Sequence, residues 1–278
     1  RYWVGGAGTW NAVNTANWSS TSGGGGGSSV PTSADDVTFD TASNATAYAV
    51  TFSASTTIGS NIIIGGPASG NLTITHTSNN LQIFGNFDVA ATGVVFSTGG
   101  SSTFSYLATS GTKTITLRIA VLASFTINGL GGTFQLQNNY SQPTTSLFSG
   151  NLTLTNGTFD PNGFTVFQAS NSGTGTITGN WNFFNLTCSC AGFSIVSLAS
   201  NITIANIFSL QGSDGTVNRL MVQSNITATA RTITCNGSVS GQNTDFMDIT
   251  GAGTATWNIS GLTGGSGGGS MGSLGFDP

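Results

Sequence analysis

The segment NLTITHT, residues 71–77, alternates apolar and polar residues without a break, and close variants of it recur along the chain. Leu72 and Ile74 fall on one side of an extended strand and Thr73 and Thr75 on the other, because successive strand side chains point to opposite faces. NLTLTNGTFD (151–160), NITIANIFSL (201–210) and SNITATARTITC (224–235) repeat the pattern. Each reads as N-[LI]-T-x-[TA] between turn residues, which predicts a strand bounded by tight bends. Helix has little to draw on. The chain has no Glu and a single Lys, and Thr, Ser, Asn and Gly dominate it. The fold class is therefore all-β.

Two all-β architectures compete. The N-[LI]-T starts fall at 71, 151, 185, 201 and 225, so no strict repeat length is present. That spacing fits a parallel β-helix (β-solenoid) whose coils differ in length, and a β-sandwich is the alternative. Composition favours the solenoid. There, Asn, Thr and Ser at equivalent strand positions stack from coil to coil, and Asn side chains can hydrogen-bond along the stack. Gly-containing bends at 156–159, 161–164 and 172–176 suit its corners. A one-sided apolar pattern fills its narrow interior. Many of the 18 Phe, among them Phe134, Phe159, Phe164 and Phe193, sit beside turns and read as interior corner fillers.

Three segments are expected: a Trp- and Gly-rich N-terminal cap or assembly segment at 1–48, a solenoid body at 49–262, and a Gly-rich tail at 263–278. At roughly 20 residues per coil the body would hold about ten coils.

Charge narrows the partners. Charged residues make up only 5% of the chain and the net charge is −4, with no basic stretch. Nucleic-acid binding needs clustered Lys and Arg, so no nucleic acid is expected. The longest apolar-rich run, ITLRIAVLASF (115–125), is broken by Arg118, so no membrane insertion is expected either. The chain begins at Arg1 without Met, as a processed or trimmed start would. Of three cysteines, Cys188 and Cys190 share a strand face and read as small buried hydrophobes, with a bridge from one of them to Cys235 as the alternative.

Catalytic chemistry has few footholds. Glycoside hydrolysis needs two carboxylates facing one bond. Asp35 with Asp36, and Asp245 with Asp248, each point to opposite faces of a regular strand. No enzyme is expected, and a polysaccharide-cleaving activity ranks last. Asp35, Asp36 and Asp40 lie close together beside a Gly-rich loop and are the weak candidates for metal, namely Ca²⁺. They lack calcium-loop spacing and read first as turn caps, so no cofactor is called. His76, the only histidine, reads as a hydrogen-bonded surface residue, and Arg118 as snorkelling or pairing with an Asp. Asn-x-Ser/Thr matches, including Asn71, Asn151 and Asn225, are numerous, as expected by chance in so Asn-rich a chain.

The opening RYWVGGAGTWNAVNTANWSSTSGGGGGSSVPTSADDVTFD resembles that of a group of Gly/Thr-rich β-solenoid structural proteins of tailed phages and bacterial surfaces. That group begins with aromatic-Trp-Val-Gly-Gly-x-Gly-Thr-Trp, then x-x-Asn-Trp, then Val-Pro-x-x-x-Asp-Asp-Val-x-Phe-Asp. LTLTNGTFDPNGFTV (152–166) resembles the group's repeat unit, and 230–269 its closing unit, with Asp-Phe-x-Asp-Ile-Thr ahead of a Trp. The resemblance implies a structural or adhesive component and no reaction.

A stack of coils leaves two open ends, each with unpaired backbone groups and an exposed interior. Trp3, Trp10 and Trp18 are placed to plug one end; an inter-subunit interface and a sugar platform are the other readings. The far end has only Trp257 and Phe276, so another chain is expected to cover it. The cap and assembly residues are accordingly Trp3, Trp10, Trp18 and Phe276. The expected product is an extracellular, self-associating subunit of a phage fibre, virion decoration or filament. Its partners are copies of itself, other virion or surface proteins, and glycans if it is instead an adhesin.

Overall fold

The computed structural model describes residues 1–53, 57–76, 78–98, 102–119, 123–141, 150–170, 173–213 and 218–261. The predicted tail and Phe276 lie outside the described residues. Among the described residues there is no helix. The chain forms parallel stacked coils, a β-solenoid of about eight turns, and not a barrel or sandwich. It divides into two compact units: Arg1–Asn138 with Asn156–Thr158, and Asn139–Thr155 with Phe159–Pro278.

Unit 1 contains β1 (Tyr2–Trp3), β2 (Gly8–Trp10), β3 (Trp18–Ser19), β4 (Val37–Phe39), β5 (Tyr48–Phe52), β6 (Thr57–Gly59) and β7 (Ile62–Ile64). It continues through β8 (Leu72–His76), β9 (Asn80–Ile83), β10 (Phe87–Val89), β11 (Val94–Thr98), β12 (Thr103–Tyr106), β13 (Thr112–Leu117) and β14 (Ser124–Leu136). Its strands fall into three parallel ladders, one per face of the coil. The first runs β1–β4–β7–β10–β13, the second β2–β5–β8–β11, and the third β6–β9–β12 and the start of β14.

Register shows why the alternation works. Val37 pairs with Ile62 and Ile62 with Phe87 in equal steps, and Phe87 pairs with Ile115 after a slightly longer one. All four side chains point inward and are buried. Between them on the strand, Thr38, Ile63 and Asp88 point outward. A slip of one residue in any coil would expose that coil's apolar set, so the inner ladder fixes the register.

Unit 2 contains β15 (Tyr140–Ser141), β16 (Leu152–Asp160, with 156–158 counted in unit 1), β17 (Thr165–Ser170), β18 (Gly173–Thr178), β19 (Asn182–Cys190), β20 (Ser194–Leu198) and β21 (Ile202–Gln211). Then follow β22 (Leu220–Ser224), β23 (Arg231–Cys235), β24 (Ser238–Gln242), β25 (Thr244–Met247), β26 (Ile249–Ala252) and β27 (Thr256–Gly261). One ladder is β16–β18–β20–β22–β25. The other two are carried on shared long strands: a register shift between Phe183 and Asn185 bends β19, so that its first part stacks toward β23 and β26, and its second toward β24 and β27. The inner ladder Val166–Leu186–Phe208–Val239 is buried throughout.

Coils are less even than the expected repeat, and many are longer. In unit 2 one coil carries Thr165 to Asn185, a long one carries Ile207 to Ser238, and a short one carries Ser238 to Thr256. Corner loops absorb the variation. The expected asparagine ladders are present in both units. In unit 1, Asp36 Oδ1 accepts from Asn61 Nδ2 (2.8 Å) and from its backbone N–H, Asn61 Oδ1 accepts from Asn86 N–H, and Asn86 Oδ1 from Thr114 N–H. In unit 2, Asn206 donates to Asn185 at 3.0 Å. The side chain thus mostly serves the next coil's backbone, where the turn would leave an N–H unmet.

Candidate functional site

The functional question for a coil stack is what happens at its terminal layers. In unit 1 the first layer is β1, β2 and β3. Trp3 and Trp18 face each other across the antiparallel β1–β3 pair, and Trp10 comes from β2 beside Phe52 of β5. All three indoles are buried, none more than 1% exposed. Ring centroids lie 5.1 Å apart for Trp3–Trp18 and 5.0 Å for both Trp10–Trp18 and Trp10–Phe52, at interplanar angles of 74–89°. Trp3 stacks on Phe39 at 5.5 Å. These edge-to-face and offset contacts are the preferred geometries of aromatic pairs.

The segment after Trp18 is tied back over this cluster. Ser28 N–H donates to Trp18 O and Gly27 N–H to Thr15 O. A Cβ on Gly26 would stand 1.8 Å from Ala16 O, so glycine is required there. The Arg1 guanidinium binds Ser29 Oγ at 2.7 Å and pairs with Asp35 at 3.3 Å. The indoles are thus interior groups of unit 1 sealed by its own chain, and no ring face is open for a sugar to stack on.

In unit 2 the last described layer is β25, β26 and β27. Among the described residues each has one neighbour only: β22, β23 and β24 respectively. Phe246 of β25 and Ile249 of β26 are buried, while Trp257 of β27 is half-buried, 6.3 Å from Phe208. Residues 249–261 carry no charge and no proline. A clamp holds the layer. Arg219 Nε and Nη2 bind the two carboxylate oxygens of Asp245 at 2.6 and 2.7 Å, with side-chain exposures of 10% and 12%. The carboxylate raises the Arg219 pKa further, the hydrogen bond being the main cause.

The predicted carboxylates are each committed elsewhere. Asp35 accepts from Thr32 Oγ1 and N–H at 2.8 and 2.9 Å, and that hydrogen bonding, chiefly from the hydroxyl, holds its pKa below the usual value. Asp36 serves Asn61, and Asp40 accepts from Ser22 Oγ and Ala42 N–H. Among the described residues no group of three metal-ligating side chains forms. Asp245 is held by Arg219, and Asp248, at φ +54°, accepts from Ala228 N–H.

Other expectations need correction. His76 is not at the surface: it is fully buried, parallel to Phe104 at 5.3 Å and 5.6 Å from Phe52. Phe193 is no filler, being 48% exposed. Phe134 and Phe159 are buried as expected, and Phe164 is half-buried. Arg118 does pair, with Asp88. The three cysteines are buried thiols not joined by a disulfide, and burial pushes the Cys188 thiol up to about 12. The Arg219–Asp245 clamp was missed from sequence. Its signal is separation: Arg219 and Asp245 lie 26 residues apart and Arg118 and Asp88 lie 30 apart, about one coil in each case.

Unit 1 also has an open groove of about 640 Å³ along its corners, lined by 38–41, 63, 65–70, 90, 92 and 93. Asp40 is its one titratable residue, and that carboxylate is already hydrogen-bonded.

No family model matches the chain. Nor does any curated protein or solved structure. The geometry of the two terminal layers therefore carries the functional reading by itself.

Proposed function

We propose that the protein is a non-enzymatic structural subunit of a self-associating extracellular or virion assembly, such as a phage fibre, a virion decoration or a filament, joined through the terminal layer of unit 2. One observation carries this reading: β25, β26 and β27 present backbone edges paired on one side only among the described residues. Natural proteins blunt such edges with charges, proline or coverage. Residues 249–261 use neither of the first two, whereas the first layer of unit 1 is covered by its own loop. A low charge overall adds little repulsion between copies. The groove along the corners of unit 1, nearly uncharged, supports glycan binding as a second reading, that of an adhesin.

The test is the state of the full chain in solution and by negative-stain imaging. Assemblies of several chains are expected. Thr250→Lys and Thr256→Lys, which place charge on the edge strands, should return them to single chains. A full-length chain that stays monomeric at high concentration would remove the self-association reading, and lysine variants that assemble like the parent would remove its placement at the terminal layer of unit 2.

A further inference from the structure

His76 ends β8 and points into unit 1, packed between the Phe52 and Phe104 rings, with the Phe104 ring tilted only 11° from its own. Neither ring nitrogen has a hydrogen-bond partner. The strands around it, β5, β8, β9, β11 and β12, carry no Asp, Arg, Lys or second His. Their titratable residues are Tyr48 and Tyr106, both buried, and burial pushes the Tyr48 hydroxyl up to about 12. An imidazolium formed here would be enclosed by the stacked Phe104 ring and the tilted Phe52 ring, cut off from water and with no carboxylate on the surrounding strands to meet it.

We propose that His76 is an acid-sensitive latch: protonation of its imidazole opens unit 1, while unit 2, which contains no histidine, stays folded. This inference is independent of the self-association reading. It rests on the burial, the missing partners and the absence of any counter-charge.

Burial pushes the ring down to about 4 from its ordinary 6.5. The Asn79 backbone lies near enough to favour the charged ring, but not at hydrogen-bonding geometry, and burial outweighs it. The opened chain binds a proton in the window between those values and the folded chain does not. Stability of unit 1 from this group is therefore complete above pH 6.5 and is lost as pH falls through about 4.

The experiment follows the full chain from pH 7 to pH 2.5 by hydrogen exchange, with peptides assigned to each unit. Trp fluorescence in a Trp181→Phe/Trp257→Phe background reports Trp3, Trp10 and Trp18 alone. Unit 1 should lose protection first, and His76→Phe should lower its midpoint by on the order of one pH unit. Carboxylate protonation acts equally on parent and variant, so their difference isolates the ring. His76→Phe opening at the parent's pH, or both units of the parent opening together, overturns the proposal. Should His76→Phe fail to fold, the NMR titration of the single imidazole decides. A ring that stays neutral down to about pH 4 in the folded chain supports the latch, and one that titrates near 6.5 without opening rules it out.

Discussion

The first layer of unit 1 and the last described layer of unit 2 face one physical problem, a coil with no further strand stacked on it among the described residues, and they meet it with different chemistry. Unit 1 fills the opening with Trp3, Trp10 and Trp18 and draws its own loop across them. Unit 2 puts a half-buried Trp257 there and anchors β25 through a bidentate Arg219–Asp245 pair. Large apolar rings close an end completely because they exclude water from both the interior and the backbone edge. An ion pair holds a strand in place yet leaves its outer edge free to hydrogen-bond. Among the described residues the difference separates a layer sealed by its own chain from a layer whose strands are paired on one side only.

Removing the plug should produce the largest effect. Trp18 touches Trp3, Trp10 and Phe39 and is fully buried. Trp18→Ala is expected to cost unit 1 about 3–5 kcal/mol, the usual loss for a buried large aromatic. Urea unfolding followed by hydrogen exchange in unit 1 peptides measures it. Trp257→Ala, at the half-buried position in unit 2, should cost clearly less in the single chain but weaken association. Equal losses at the two sites would erase the contrast between the layers.

The clamp comes next. Arg219→Ala leaves the Asp245 carboxylate largely buried without its cation, and loss of one partner of such a pair costs about 3 kcal/mol. The loss should appear in unit 2 peptides only. Arg219→Met with Asp245→Leu, which removes both charges and keeps apolar volume, should recover most of it. If the double variant is as unstable as the single one, the clamp matters through its hydrogen bonds to the neighbouring backbone, such as that to Thr244 O, and not through charge.

Much of this architecture was legible in the alternation of NLTITHT and its relatives, since a period of two with one apolar side dictates an inner and an outer face. The ladders of Asn61 and Asn86, just ahead of β7 and β10, and of Asn185, at the bend of β19, followed from Asn recurring ahead of the alternating runs. What was hidden is what depends on coil length. Arg219 and Asp245 are strangers in sequence until one knows how much chain brings a strand beneath its predecessor. Unequal steps conceal that period, as the long one from Ile207 to Ser238 and the short one from Ser238 to Thr256 show. His76 misled because a lone imidazole in a polar stretch resembles a surface group. Its place in the alternation, two after Ile74 and four after Leu72, was the signal that it points inward. Phe193 erred the other way: it lies just before β20, outside the alternating run that fixes which side chains face in.

The smallest effect belongs to the second coil-to-coil ion pair, Arg118 with Asp88 in unit 1, and it sharpens the comparison by holding the residue types constant. Both side chains are 43% exposed, against 10% and 12% in the clamp. Water already solvates each charge, so little is lost when the pair separates, and salt screens what remains. Arg118 also donates to Val89 O at 3.2 Å, a contact water can replace. Arg118→Ala is therefore expected to cost about 0–1 kcal/mol, shrinking further in high salt, while the Arg219→Ala loss should respond to salt much less. Unfolding both variants in parallel across a salt series tests this. A loss at Arg118 as large as at Arg219 would mean that spanning two coils, not burial, sets the value of these pairs, and the clamp would then no longer distinguish the unit 2 layer.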